Sequence, residues 1–132
     1  MFGLFGKKKE VPQKETDTKS YTFHGTGITH NCAFPSPRFK GRSRQFVLDK
    51  CRVGDAIYLK HYEWKGTTAY AIMSKKYETD IGVVPAEKVR AIHNKAKGSD
   101  SITGWITAIR PLDPDEEDYR KIVNIFDVSV NL

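Results

Sequence analysis

Two alternating runs parted by a turn leave this chain few choices of fold. Ala56–Tyr62 sets Ile57, Leu59 and His61 at every second position, with Tyr58, Lys60 and Tyr62 between them. Successive side chains of an extended chain point to opposite faces, so this pattern buries one face only as a β-strand. Glu63-Trp64-Lys65-Gly66 interrupts it, and Thr67–Ser74 resumes it with Tyr70 and Ile72 on one side. The expectation is a β-hairpin, launched by a turn at Val53-Gly54-Asp55.

The flanking sequence extends the same architecture. Tyr21 and Phe23 alternate with polar residues and run on into Gly25-Thr26-Gly27-Ile28. Residues 31–43 hold Pro35, Pro37 and Gly41 and read as a loop, after which Ser43 is placed to cap a short helix over Arg44–Cys51. That helix would turn Phe46, Val47 and Cys51 inward. A polar turn at Lys75–Thr79 precedes a short apolar strand, Ile81-Gly82-Val83-Val84. Pro85 suits the first turn of a helix and Glu87 complements its dipole; Val89, Ile92 and Ala96 form one stripe, and Gly98 is the expected stop. Ile102, Gly104, Ile106 and Ala108 alternate in a further strand that ends at Pro111. After the acidic loop Asp113–Asp118, Lys121–Val130 closes the chain with Ile122, Phe126, Val128 and Val130 inward.

At 132 residues the chain has room for one core. The expected fold is mostly β (α+β): a small OB-like barrel or rolled antiparallel sheet of about six strands with one main helix. Residues 20–132 form that domain, and residues 1–19, with little to bury, form a disordered basic tail.

The formal charge of +6 is unevenly placed, with fourteen basic against six acidic side chains in residues 38–97 and three against seven in residues 98–132. A positive middle favours a polyanionic partner. Cys32 and Cys51 have no CxxC spacing and fit a reducing, cytoplasmic setting. Met1–Gly6 is too short for a signal sequence and precedes its lysines, and no stretch approaches the ~20 apolar residues of a spanning helix. Phe2-Gly-Leu-Phe5 beside three lysines is one weak membrane signal, and no membrane role is expected.

Two segments combine cations with aromatic rings. In Arg38, Phe39, Lys40, Arg42 and Arg44, cations would track phosphates while the ring stacks on a base; the plainer alternative is a solvated loop whose Phe39 plugs the core. In the hairpin, Lys60, His61, Tyr62, Trp64, Lys65 and Tyr70 gather amphipathic rings, and Trp64 sits at a turn tip where burial is hard. Cross-strand packing is the alternative there, for Tyr70 above all. Lys88, Arg90, Lys95 and Lys97 read as a solvated helix face. His24, His30, Cys32 and Cys51 have no established ligand spacing, and no metal or cofactor is expected. Without an acid–base pair, an activated nucleophile or a phosphate loop, neither catalysis nor a small-molecule substrate is expected.

The order Val53-Gly-Asp-Ala-Ile-Tyr-Leu59, Ala71-Ile72, then Asp80-Ile-Gly-Val-Val-Pro85-Ala-Glu-Lys-Val-Arg-Ala-Ile92 resembles the HIRAN domain family. Phe23-His-Gly-Thr-Gly27-Ile28 resembles its first strand, and Ser101–Leu112 and Lys121–Leu132 its closing strands, so the resemblance spans about residues 20–132. That family occurs at the front of some eukaryotic DNA-remodelling helicases and as small stand-alone bacterial and phage proteins. The resemblance implies an OB-like barrel with one helix and a pocket for the 3′ end of single-stranded DNA. One departure matters: the family's hairpin carries an Asn-Pro-Tyr-Asp type stretch, and Gly66-Thr-Thr-Ala-Tyr-Ala-Ile72 lacks that aromatic–acid pair. The expected function is therefore non-catalytic binding of nucleic acid, single-stranded DNA or DNA ends first. The alternative is a protein-interaction or assembly module, homodimeric or with another partner, that keeps the fold and has lost the pocket.

Overall fold

A computed structural model of the chain describes residues 20–25, 31–97, 102–111 and 124–132. Among these residues six strands build one antiparallel sheet: β1 (Ser20–Gly25), β2 (Ala56–Trp64), β3 (Thr67–Ser74), β4 (Thr79–Val83), β5 (Ile102–Pro111) and β6 (Asn124–Asn131). Their spatial order is β1-β6-β5-β2-β3-β4. The sheet curls into an OB-like half-barrel, the mostly β class expected. The short helix α1 (Arg44–Leu48) precedes β2, and the main helix α2 (Ala86–Ala96) follows β4. The basic tail, Gly27, Ile28, Gly98, the acidic loop and Ile122 lie outside the described residues.

The hairpin forms as its alternation dictates, pairing Ile57 with Ser74 through to Trp64 with Thr67. Its two-residue turn, Lys65-Gly66, holds both residues at positive φ, 50° and 77°. Those signs define the type I′ turn, whose twist matches that of the strands it joins. At the other end of β2, Gly54 adopts φ 96° while the Asp55 carboxylate accepts from the Arg52 N–H at 2.9 Å. The Gly54 N–H then donates to the Ile106 carbonyl at 2.7 Å and docks this turn on β5.

Ile57, Leu59, Ile72, Ile81, Ile106, Phe126, Val128 and Val130 fill the inner face, and Ile92 of α2 is buried against them. Gly104 is required where β5 crosses β6, because a Cβ there would stand 2.1 Å from the Ser129 carbonyl oxygen. Strict alternation on β5 ends past Ile106, where a register shift leaves Ala108 only half-buried.

Several boundaries and orientations differ from expectation. β2 runs two residues further than Tyr62 because the I′ turn lets pairing reach Trp64. α1 ends at Leu48, and Phe46 faces outward, 38% exposed, while Val47 and Leu48 enter the core. Five residues are too few for one stripe to fix a helix face. Ser43 does cap it, accepting from the Phe46 N–H at 3.1 Å. Pro85 sits at the N-cap of α2, and Lys97, at φ 52°, adopts the left-handed closing conformation before Gly98 is reached.

Candidate binding groove

The loop between β1 and α1 shapes the site. Residues 31–43 close on themselves through a bridge between Asn31 and Ser43 and one 3₁₀ turn, Pro37–Phe39. A single carboxylate fastens this loop to the sheet. Asp80 accepts from the Ala33 N–H at 3.0 Å, the Phe34 N–H at 2.8 Å and Arg44 Nε at 2.7 Å, and it has no exposed surface. Its aim depends on a shift in register: β4 pairs Gly82 with Ile72 and then Asp80 with Met73, so Ile81 is an extra residue. Strict alternation would give Asp80 the inward face of Gly82. The bulge sets it beside Met73 on the outer face, where the loop lies.

On that outer face, at the hairpin end, lies a groove of about 770 Å³. Asn31, Ala33 and Arg44 form one wall, Tyr62, Trp64 and Thr67–Ala69 the floor, and Val83–Glu87 with Val89 the other wall. Trp64 is 62% exposed and carries Lys65 Nζ 5.5 Å from its ring centre. Tyr62 is half-buried and meets the Phe34 ring edge-on, centres 5.3 Å apart. The first turn of α2 opens into the groove with no side chain capping it, so its amide donors and Arg44 supply positive potential there, which Glu87 opposes.

The structure divides the residues singled out from the sequence. Tyr62, Trp64 and Arg44 line the groove, and Lys65 adjoins it. Lys60 lies outside it, its ammonium 5.1 Å from the centre of the Phe34 ring. Phe39 is 1% exposed and packs edge-on against Tyr77, so its ring has no free face for a base: it is the core plug. Arg44 is 7% exposed and bound to Asp80, a structural cation with only its margin at the groove. Arg38 lies over the Phe39 and Tyr77 rings, and Arg42 and Lys50 lie 4.5 and 4.9 Å from the Phe46 ring centre. Lys40 is exposed. Tyr77 belongs to the turn after β3, whereas Trp64 stands before its first residue. Arg38 is therefore held toward the far end of β3 from Trp64, whereas Arg42 adjoins the groove wall through its backbone, its carbonyl accepting from the Cys32 N–H at 3.0 Å between Asn31 and Ala33, with its guanidinium turned onto the Phe46 ring.

Tyr70 is also internal, fully buried, with its hydroxyl 3.0 Å from His93 Nδ1. His61 joins them from the inner face, its ring 5.3 Å from Tyr70 and 5.9 Å from His93. His61 Nε2 is buried with no partner among the described residues. This ring cluster seats α2 on the sheet. Both cysteines are free and buried. Burial raises the Cys32 thiol and pushes Cys51 up to about 11, so both are held as thiols.

The β4–α2 wall and Glu87, whose place in the sequence points only to a helix dipole, join the site through the fold. Neither has a signal in sequence, because the wall becomes part of the site only when the loop is tied across the sheet. No helix among the described residues is long and apolar enough to cross a membrane. No family model, curated protein or solved structure matches the chain.

Proposed function

We propose that this protein is a non-catalytic, HIRAN-like module that binds single-stranded nucleic acid, DNA or a DNA end first, in the outer-face groove. The observation that carries the reading is the groove beneath Trp64: an exposed indole and a half-buried phenol flank a cavity large enough for a nucleotide. Every base has a π-face, so rings at a groove floor bind single strands with little regard to sequence. The hairpin segment 66–72 lacks the aromatic–acid pair of HIRAN domains, yet Tyr62, Trp64 and Glu87 stand around the cavity that Thr67, Thr68 and Ala69 line. An aromatic–acid set assembled from other segments supports an end-binding pocket in this chain.

Fluorescence anisotropy with 3′-ended, 5′-ended and 3′-blocked strands tests this directly. Trp64→Ala is expected to weaken binding by about 1–3 kcal/mol, roughly 5- to 150-fold, without moving the unfolding midpoint. The logarithm of affinity should fall with the logarithm of salt by about 0.7 per phosphate contact. Absence of binding at low salt, or indifference to salt, overturns the reading.

One feature favours the rival. The far wall (Val83, Val84, Pro85 and Val89) is apolar, and the groove's cation, Arg44, is already paired with Asp80. These suit a peptide segment of a partner protein or of a second copy. A stoichiometric partner or dimer in solution, together with no retention on heparin, decides for that alternative.

A further inference from the structure

A second depression of about 570 Å³ lies on the same outer face, lined by Phe34, Pro35, Tyr58, Lys60, Met73, Lys75 and Glu78. It is not a separate feature of the surface. Tyr58, Lys60, Tyr62 and Trp64 alternate along β2, so they share one face, and the distance from Trp64 to Tyr58 is about 20 Å. Tyr62 floors the groove and Phe34 lines the depression, and these two rings touch edge-on at 5.3 Å. A low aromatic ridge therefore joins the two cavities. Beyond it, Lys60 stands over the Phe34 ring, Tyr58 is half-exposed, and Lys75 is exposed at the β3–β4 turn.

We infer that the depression is the second subsite of a continuous single-strand track: a terminal nucleotide occupies the groove and the following nucleotides cross the Phe34–Tyr62 ridge. There Lys60 and Lys75 neutralise phosphates while Tyr58 offers a ring to a base. Glu78, which is exposed, also lines this subsite and partly offsets the two lysines. The inference rests on the groove being the nucleic-acid site. It adds a footprint: a strand that fills only the groove uses part of the surface, and single strands occupy about 4–16 nucleotides on an OB fold.

The test is a length series, trinucleotide to decanucleotide, titrated against the full chain with the anisotropy of a labelled strand as the signal. The wild type and the Lys60→Gln/Lys75→Gln double variant are compared, with unfolding midpoints measured for both. Affinity is expected to climb with length and then level off. The double variant should bind the trinucleotide as the wild type does. It should bind the decanucleotide roughly tenfold more weakly, with a salt slope smaller by about 1.4 from two lost phosphate contacts. A trinucleotide that binds as tightly as the decanucleotide overturns the track and leaves the groove standing. Equal weakening of short and long strands by the double variant also overturns it, because the lysines then act only through their general field. No binding at any length overturns the track and the groove reading together.

Discussion

A carboxylate with no exposed surface must find its donors within the fold, and Asp80 finds three, two backbone amides and one guanidinium. Removing one member of a buried ion pair costs far more than the pair contributes, because the other charge stays buried and unmatched. Asp80→Ala strips both amides and Arg44 at once and is expected to cost about 3–5 kcal/mol in urea unfolding. Arg44→Met should cost less, since Asp80 keeps its two amide donors. If the Arg44 substitution is the more damaging, the loop is held by something other than this carboxylate. The pair was illegible in the sequence because its partners are 36 positions apart and Arg44 stands in a run of cations that look solvated. Phe39 and Tyr70 were ambiguous for a related reason: an aromatic among polar neighbours carries no local sign of which way it points.

The elements set by local chemistry follow their patterns closely. The β2–β3 hairpin and α2 lie where alternation, Gly66, Pro85 and the Val89–Ile92–Ala96 stripe place them. Of the site, the rings of Tyr62 and Trp64 were readable from the turn tip. The wall they face was not, because it comes from a segment twenty residues away whose own pattern signals only a helix start. Register was equally hidden, since no residue type announces the Ile81 bulge that turns Asp80 outward. Between β5 and β6 the strands approach so closely that only a hydrogen fits at Gly104. Gly104→Ala should therefore cost about 3 kcal/mol or more by overpacking against rigid backbone, read from chemical denaturation. A cost below 1 kcal/mol would mean that β5 and β6 separate easily. The Lys65-Gly66 turn offers the opposite case. Lys65 holds a positive φ that asparagine tolerates better, so Lys65→Asn should stabilise the domain by about 0.5 kcal/mol while removing a cation beside Trp64.

For the molecule as a whole, the thiols set an alkaline limit. A buried thiol with its folded pKa raised to about 11 keeps its proton where the unfolded chain, at 9.0, has begun to lose it. The unfolded state then binds fewer protons, so stability falls as pH rises from 9 to 11 and is undiminished below that window. Cys51 contributes at most about 1.4 kcal/mol per pH unit to this decline. Unfolding free energies from pH 8 to 11, compared with Cys51→Ala, isolate its share; parallel curves for the two proteins would exclude it. The clamp at Asp80 bears on the same scale. β4 is the outermost strand on its side of the sheet, and an open edge of that kind is a template on which another extended chain can assemble. Here the Cys32 thiol takes the Asp80 carbonyl at 3.3 Å, and the loop it belongs to lies across the strand. Fastening that loop thus gives the fold a guard against aggregation: a chain that loses the clamp exposes a sticky border and becomes prone to polymerise through it.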